Sequence, residues 1–272
     1  MYSLWVSFII GIVEGLTEFL PVSSTGHMIL AQALLHIPEE DEMMKSFEVV
    51  IQLGAILAVV LLYWRRIMRL FGLSDDVKGK SKGQRLNLIH ILIAIVPALF
   101  LAFIGRHFIK DYLFSPTTVL IGLILGGVFL IIAEKQQPAI TATDMDQLTY
   151  KQSLFIGIAQ CLSLWPGFSR AGATIAGGML AGATRGAAAN FTFLIAIPVM
   201  FAATGYEMLT SYKVILSGSF LFFGVGFIVS FIVALLAVVT FIKLVSKLSL
   251  TYFAYYRFVV AILFAIWMAV SK

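Results

Sequence analysis

Glu14-Gly15-Leu16-Thr17-Glu18-Phe19-Leu20-Pro21-Val22-Ser23-Ser24-Thr25-Gly26-His27 is a polar stretch set inside an apolar one that runs from about residue 4 to 36. Crossing a bilayer takes roughly 20 consecutive apolar residues in a helix. Pro21 cuts the run into pieces of about 12 to 17 residues, each short for a full span. Irregular polar backbone at membrane depth is tolerated only where protein buries it or a wet cavity lines it. The stretch therefore predicts a re-entrant helical hairpin. A second run, about 151 to 185, is broken in the same way at Pro166-Gly167-Phe168-Ser169-Arg170-Ala171-Gly172-Ala173-Thr174.

The rest of the chain fits a membrane setting. Of its 272 residues, 60% are hydrophobic and 12% charged, too apolar for an ordinary soluble domain. Long apolar runs at about 47–64, 86–105, 117–134, 188–210, 218–242 and 252–270 read as spanning helices. The predicted fold is all-α and polytopic, with six spanning helices plus two re-entrant hairpins in a single integral membrane domain over 1–272. A large extramembrane domain is excluded. The lone Cys161 excludes an intrachain disulfide, a cysteine zinc cluster and an iron–sulfur site. The first basic residue is Lys45, so no cleavable signal peptide is expected.

Sliding the sequence by 146 positions superposes the two broken regions without a gap. Gly11-Ile12 falls on Gly157-Ile158, Leu16 on Leu162, Ser23 on Ser169, Gly26 on Gly172 and Ile29 on Ile175. Glu14 lies opposite Gln160, Thr17 opposite Ser163, Phe19 opposite Trp165, Phe47 opposite Phe193 and Ile51 opposite Ile197. Each half, about 4–134 and 151–270, holds one hairpin and three spans. An odd number of spans turns the second half over, which predicts an inverted-topology repeat.

The net charge of +5 is no nucleic-acid signal once it is located. Arg65, Arg66, Arg69, Lys78, Lys80, Lys82 and Arg85 share one loop with Asp75 and Asp76, and the spans put Lys135, Lys151, Arg185, Lys243 and Lys247 on the same side. The other side receives Lys45, Arg106, Lys110, Lys213 and Lys272 with the acidic run Glu39-Glu40-Asp41-Glu42. The basic side is expected in the cytoplasm, with both termini and the first hairpin outward.

The chemistry-bearing residues gather at the breaks. Glu14 and Glu18, four apart, share a helix face and are costly in hydrocarbon without a cation or basic partner such as Arg170 or Arg257. They suit divalent metal binding, polarisation of a phosphate or proton transfer. Ser23, Ser24 and Thr25 can simply cap the next helix, yet a helix start with free amides, hydroxyls and Gly26 close by also suits an anion, phosphate above all. His27, one turn beyond Ser24, is within reach of that serine or of a water beside it. Arg170 offers a planar fork for phosphate oxygens, flanked by Ser169 and Thr174. Pooled, the two breaks describe a phosphate site inside a membrane protein.

These two segments resemble the signatures of the bacterial undecaprenyl-pyrophosphate phosphatases, the bacitracin-resistance family, and the resemblance covers nearly the whole chain. The family pattern usually has serine where this chain has Ala171, and often at Ala176, which removes both positions from catalysis here. The resemblance implies hydrolysis of undecaprenyl pyrophosphate to undecaprenyl phosphate and inorganic phosphate, recycling the lipid carrier of cell-wall precursors. It implies a divalent cation, Mg2+ or Ca2+, and a site open to the outer face of the bacterial cytoplasmic membrane. Bacitracin then competes by sequestering the substrate, and the partners are a polyprenyl diphosphate and membrane lipids, not nucleic acid. The candidate assignments are Ser24, His27, Glu18, Glu14 and Arg170 for catalysis, Ser23, Thr25, Gly26, Ser169, Thr174 and Arg170 for substrate, and Glu14 and Glu18 for metal. Whether Ser24 attacks or water attacks directly stays open, as does the oligomeric state, a homo-oligomer included. A secondary transporter or lipid flippase is the rival, since broken helices in inverted repeats are transporter architecture. A lipid phosphatase of the type 2 phosphatidic-acid family needs a second histidine after the Ser-Arg motif, and the last histidine here is His107.

Overall fold

The structure, a computed structural model, describes residues 2–38, 41–73, 86–113 and 115–270. Eleven α-helices follow one another among these residues: α1 Leu4–Thr17, α2 Ser24–Leu34, α3 Glu42–Leu70, α4 Leu88–Phe108, α5 Pro116–Lys135, α6 Tyr150–Gln160, α7 Arg170–Leu180, α8 Arg185–Thr210, α9 Tyr212–Ser217, α10 Phe220–Val245 and α11 Thr251–Val270. The six spans expected from the apolar runs are α3, α4, α5, α8, α10 and α11, each long and apolar enough to cross a membrane. The chain is an all-α, multi-pass membrane protein. No strand occurs among the described residues. The loop after α5 is instead clipped to the α7–α8 turn by a parallel bridge between Ala142 and Ala183, with Thr184 N–H donating to Ala142 O at 2.9 Å.

Local chemistry sets the helix ends. Asp41 caps α3 by accepting from Met44 N at 2.8 Å, while Ser115, Thr118 and Pro116 at the first position open α5 with a capping box. Pro21 has no N–H to give Thr17 and its ring collides with that carbonyl, so α1 stops at Thr17. Pro166 acts likewise on residue 162: α6 stops at Gln160 and tightens into a 3₁₀ turn over Cys161–Leu164.

Helix α8 is the hub of the core. Phe193 is fully buried, with rings of Phe19 at 5.8 Å, Tyr63 at 6.4 Å and Phe241 at 5.9 Å around it. The outer faces of α4, α10 and α11 keep large apolar side chains exposed, among them Phe103, Leu236 and Leu263. Water would reject such a surface and lipid accepts it.

Helix α1 packs on α10, α6 on α4, α5 on α11 and α3 on α8. A Cβ on Gly11 would lie 2.8 Å from Gly226 O of α10, and one on Gly157 only 2.6 Å from Ala94 O of α4. Gly11 and Gly157 are 146 positions apart, so corresponding short helices each press a glycine against a long helix of the other half. Inside lipid, such backbone approach supplies dispersion contacts that apolar burial alone does not. Ser7 of α1 and Ser230 of α10 add hydrogen bonds between helices, to Phe222 O of α10 at 2.6 Å and Ile51 O of α3 at 2.8 Å.

Two of the basic residues assigned to one side, Arg66 and Arg185, are held in ion pairs at helix ends. Arg66, near the end of α3, forms a two-pronged pair with Asp146, which also accepts from Leu86 N at 3.3 Å. Arg185, opening α8, pairs with Glu134 at 2.6 and 2.5 Å, and Glu134 accepts from Leu250 N at 2.6 Å. At the opposite end of α3 Tyr2 donates to Asp41 at 2.8 Å. Asp75, Asp76, Lys78, Lys80, Lys82 and Arg85 of the basic loop, with Glu39, Glu40 and Lys272 of the other side, lie outside the described residues.

Candidate active site

Two serines begin the helices that follow the breaks, and both take a conformation that residues with a Cβ avoid. Ser23 has φ 73° and ψ 99°, Ser169 φ 76° and ψ 118°. Each accepts from the amide three residues on, Gly26 N at 3.4 Å and Gly172 N at 3.1 Å. Left-handed backbone at a non-glycine costs on the order of 1–3 kcal/mol and persists where the surroundings enforce it. That two residues 146 apart share it gives the sequence correspondence a matching backbone.

The breaks meet through Glu18. Its Oε1 accepts from Arg170 Nη2 at 3.0 Å and its Oε2 from the Ser24 hydroxyl at 2.5 Å. Side-chain exposure is 8% for Glu18 and 14% for Arg170, so the pair is largely withdrawn from solvent. Arg170 also lies over the Phe19 ring at 5.6 Å, and its Nη1 is buried without a hydrogen-bond partner. Glu14, one turn before Glu18, is buried with Oε1 equally unpartnered. Three of the expected residues, Glu18, Ser24 and Arg170, are thus joined directly across 152 positions, with Glu14 beside them.

His27 is held from both ring nitrogens. Nδ1 lies 2.7 Å from Ser23 O and Nε2 2.7 Å from Tyr256 Oη, with the two rings stacked at 5.5 Å. A carbonyl only accepts, so Nδ1 carries the hydrogen, and in the neutral ring Nε2 accepts from Tyr256. The hydrogen bonds of the described residues therefore put Glu18, rather than His27, on the Ser24 hydroxyl.

The remaining expected residues divide. Ser23 and Ser169 are capping acceptors, and Thr25 sits half-buried in the first turn of α2. Gly26 lets α2 approach Leu123 of α5, where a Cβ would meet the leucine at 3.2 Å. Thr174 is fully buried, donating to Arg170 O at 2.8 Å and accepting from Thr192 Oγ1 at 2.9 Å, so it ties α7 to α8. Ala171 and Ala176 are buried in the main apolar core, where a serine hydroxyl would need its own partner.

Four participants were not read from the sequence as site residues. Glu48 of α3 accepts from Gln32 of α2. Tyr256 and Arg257 come from α11. Arg257 is fully buried and meets carbonyls rather than the glutamates: Nε donates to Leu123 O at 3.0 Å, and Nη2 to Gly122 O at 3.1 Å and Gly167 O at 2.8 Å. The one available signal was that an ionisable residue within a span is functional by default.

A buried guanidinium, a carboxylate that takes a serine proton's hydrogen bond, and two helix starts can hold an anion and activate a hydroxyl against it. The family model described as bacitracin resistance protein BacA matches residues 7–263, nearly the whole chain.

Proposed function

The chain belongs to the bacitracin resistance protein BacA family, and from that membership and the joined breaks we propose that it hydrolyses undecaprenyl pyrophosphate to undecaprenyl phosphate and phosphate. The observation that carries the reading is Glu18, which links the Ser24 hydroxyl to the Arg170 guanidinium. The diphosphate binds at the starts of α2 and α7 while the polyprenyl tail stays in lipid against exposed helix faces. Arg170 takes phosphoryl oxygens, worth about 3 kcal/mol of transition-state stabilisation by analogy with a single oxyanion donor. Ser24 Oγ attacks the terminal phosphorus, the bond from that phosphorus to the bridging oxygen breaks, and the serine proton passes to Glu18 Oε2. The leaving lipid phosphate is already anionic and needs no proton. Water then attacks the phosphoserine phosphorus and passes a proton to His27, one turn along α2, while Glu18 returns the proton it holds to the departing Ser24 oxygen, and inorganic phosphate leaves.

A divalent cation fits the residues present. Glu14 offers a buried carboxylate oxygen without a partner. Among the described residues no group of three or more His, Cys, Asp or Glu gathers into a closed cage. One or two carboxylates plus substrate phosphate is the mode Mg2+ favours. Glu14 and Glu18 would hold it, and when bound it screens the diphosphate charge.

The same reading places the site toward the outer face of the cytoplasmic membrane, opposite the basic side, and makes the two halves an inverted repeat with re-entrant hairpins. The matched breaks and glycine contacts support the repeat. Bacitracin resistance follows because the enzyme consumes the lipid diphosphate that the antibiotic sequesters. Matched breaks also favour a carrier as second reading. Purified protein in detergent, given undecaprenyl pyrophosphate with and without chelator, decides: phosphate release is expected, and its absence alongside lipid translocation in proteoliposomes would replace the phosphatase with the carrier.

A further inference from the structure

Among the described residues, Arg257 is the fully buried cation, and its contacts leave its charge uncompensated. Its Nε and Nη2 are spent on the carbonyls of Leu123, Gly122 and Gly167, and none of the ion pairs among the described residues includes it. Carbonyls fix the orientation of a guanidinium without neutralising it, and an uncompensated charge in a low-dielectric interior is costly. Its Nη1 is buried without a hydrogen-bond partner. A Cβ built on Gly172 would lie 3.3 Å from that Nη1 and 3.4 Å from Ser169 Oγ. The free prong therefore sits beside the first turn of α7, the helix whose first residue is Arg170. Arg170 Nη1 is buried and unpartnered as well. Two guanidiniums, gripped from different sides, each present one unused donor near the same helix start.

We propose that Arg257 is the second anion-binding arginine of the site and takes one phosphate group of a diphosphate while Arg170 takes the other. The inference rests on the diphosphate reading above and extends it to how the protein prefers a diphosphate over a monophosphate. An arginine is required because its fork satisfies the carbonyls with two nitrogens and keeps the third for the ligand. A lysine ammonium is a single point that serves one or the other. Gly172 sets no side chain against the prong, where a Cβ would stand 3.3 Å from Nη1.

The test uses the full-length protein in detergent, titrated by calorimetry with inorganic pyrophosphate and separately with orthophosphate. Wild type should bind pyrophosphate more tightly. Arg257→Lys and, independently, Gly172→Ala should each weaken pyrophosphate binding roughly 10- to 100-fold, the range of one charge-assisted hydrogen bond, and change orthophosphate binding less than about threefold. Gly172→Ala leaves all three carbonyl contacts of Arg257 in place, so it decides the matter if Arg257→Lys fails to fold. A folded variant that keeps the wild-type preference for pyrophosphate overturns the assignment and leaves Arg257 a structural clamp, as does a wild type without any preference. Phosphate release from undecaprenyl pyrophosphate separates the two claims. Release by wild type with unchanged KM in both variants sinks this inference alone. Arginine-dependent pyrophosphate binding without any release sinks the phosphatase and keeps the site.

Discussion

Replacing Glu18 by Gln probes the contact on which the site turns, because the change keeps the side-chain shape and removes only the charge and one acceptor preference. At 3.0 Å and an effective dielectric constant of about 20, the Arg170 attraction is about 5.5 kcal/mol before desolvation is charged against it. Breaking a buried pair by removing one partner typically costs about 3–5 kcal/mol. A glutamine oxygen still accepts one hydrogen bond from Arg170, so about 2–3 kcal/mol of lost stability is expected. Arg170→Gln should cost a similar amount. The double variant leaves neither charge stranded and should lose less than the sum, with a coupling of about 1–3 kcal/mol. Unfolding in detergent by denaturant, followed through Trp165 near the second break, measures all four corners of the cycle. Turnover is the second readout: with no carboxylate to accept the Ser24 proton, Glu18→Gln should lose about 10²- to 10⁴-fold in kcat. Coupling below about 0.5 kcal/mol together with unaltered phosphate release would refute the bridge as either a structural or a catalytic element.

Ser24→Ala distinguishes nucleophile from donor: loss of nearly all turnover and of any phosphoserine on rapid quench is expected, whereas a fall of only about 10²- to 10³-fold would move the attack to water. Tyr256→Phe keeps the ring stacked on His27 and removes one hydrogen bond, so kcat/KM should drop about 2- to 10-fold, and His27→Gln should drop it further; wild-type rates in both would take His27 out of the chemistry. Glu14→Gln should weaken activation by Mg2+ more than it weakens metal-free binding of pyrophosphate, and metal-independent turnover of the wild type would leave Glu14 without that role. At the Arg66 pair, burial alone would lift Asp146, but hydrogen bonds from Arg66 and the charge beside it hold its carboxyl below the usual carboxylate range. The unfolded chain, near 3.9, then takes up the proton first, so the pair stabilises fully above that pH and its contribution is lost as pH falls through the lower folded value. Asp146→Asn should flatten the acid side of the thermal stability profile, and an unchanged profile would discount the pair.

What could be read from the sequence follows the range of the physics involved. The six spans were legible because a run of about 20 apolar residues is a one-dimensional signal. The breaks were legible through Pro21 and Pro166, though each helix ends short of its proline because the ring acts on the carbonyl four residues back. The Glu18 to Arg170 contact was legible as a choice of partners, since a buried arginine needs an anion, but not as a choice between Glu14 and Glu18. Arg257 of α11 was legible only as a possible partner for Glu14 or Glu18, and its actual contacts, like Tyr256, were beyond reach of this reasoning. Tyr256 meets His27 from 229 positions away and Arg257 grips carbonyls 90 to 135 positions distant, and backbone carbonyls carry no residue signature at all. The left-handed serines were equally hidden, because glycine or asparagine is the usual mark of such a backbone and neither stands there. Their recurrence at Ser23 and Ser169 ties the two kinds of information together. Each serine accepts from the amide three residues on, and at the first break the hydroxyl set on the carboxylate is that of Ser24. At the second break the corresponding position is Arg170. The same turn, repeated, thus brings a serine hydroxyl from the first break and an arginine from the second to a single carboxylate. Exchange of the two residues between the breaks would keep the inventory and destroy the arrangement, because Glu18 belongs to the first break and the second carries no acid in its place.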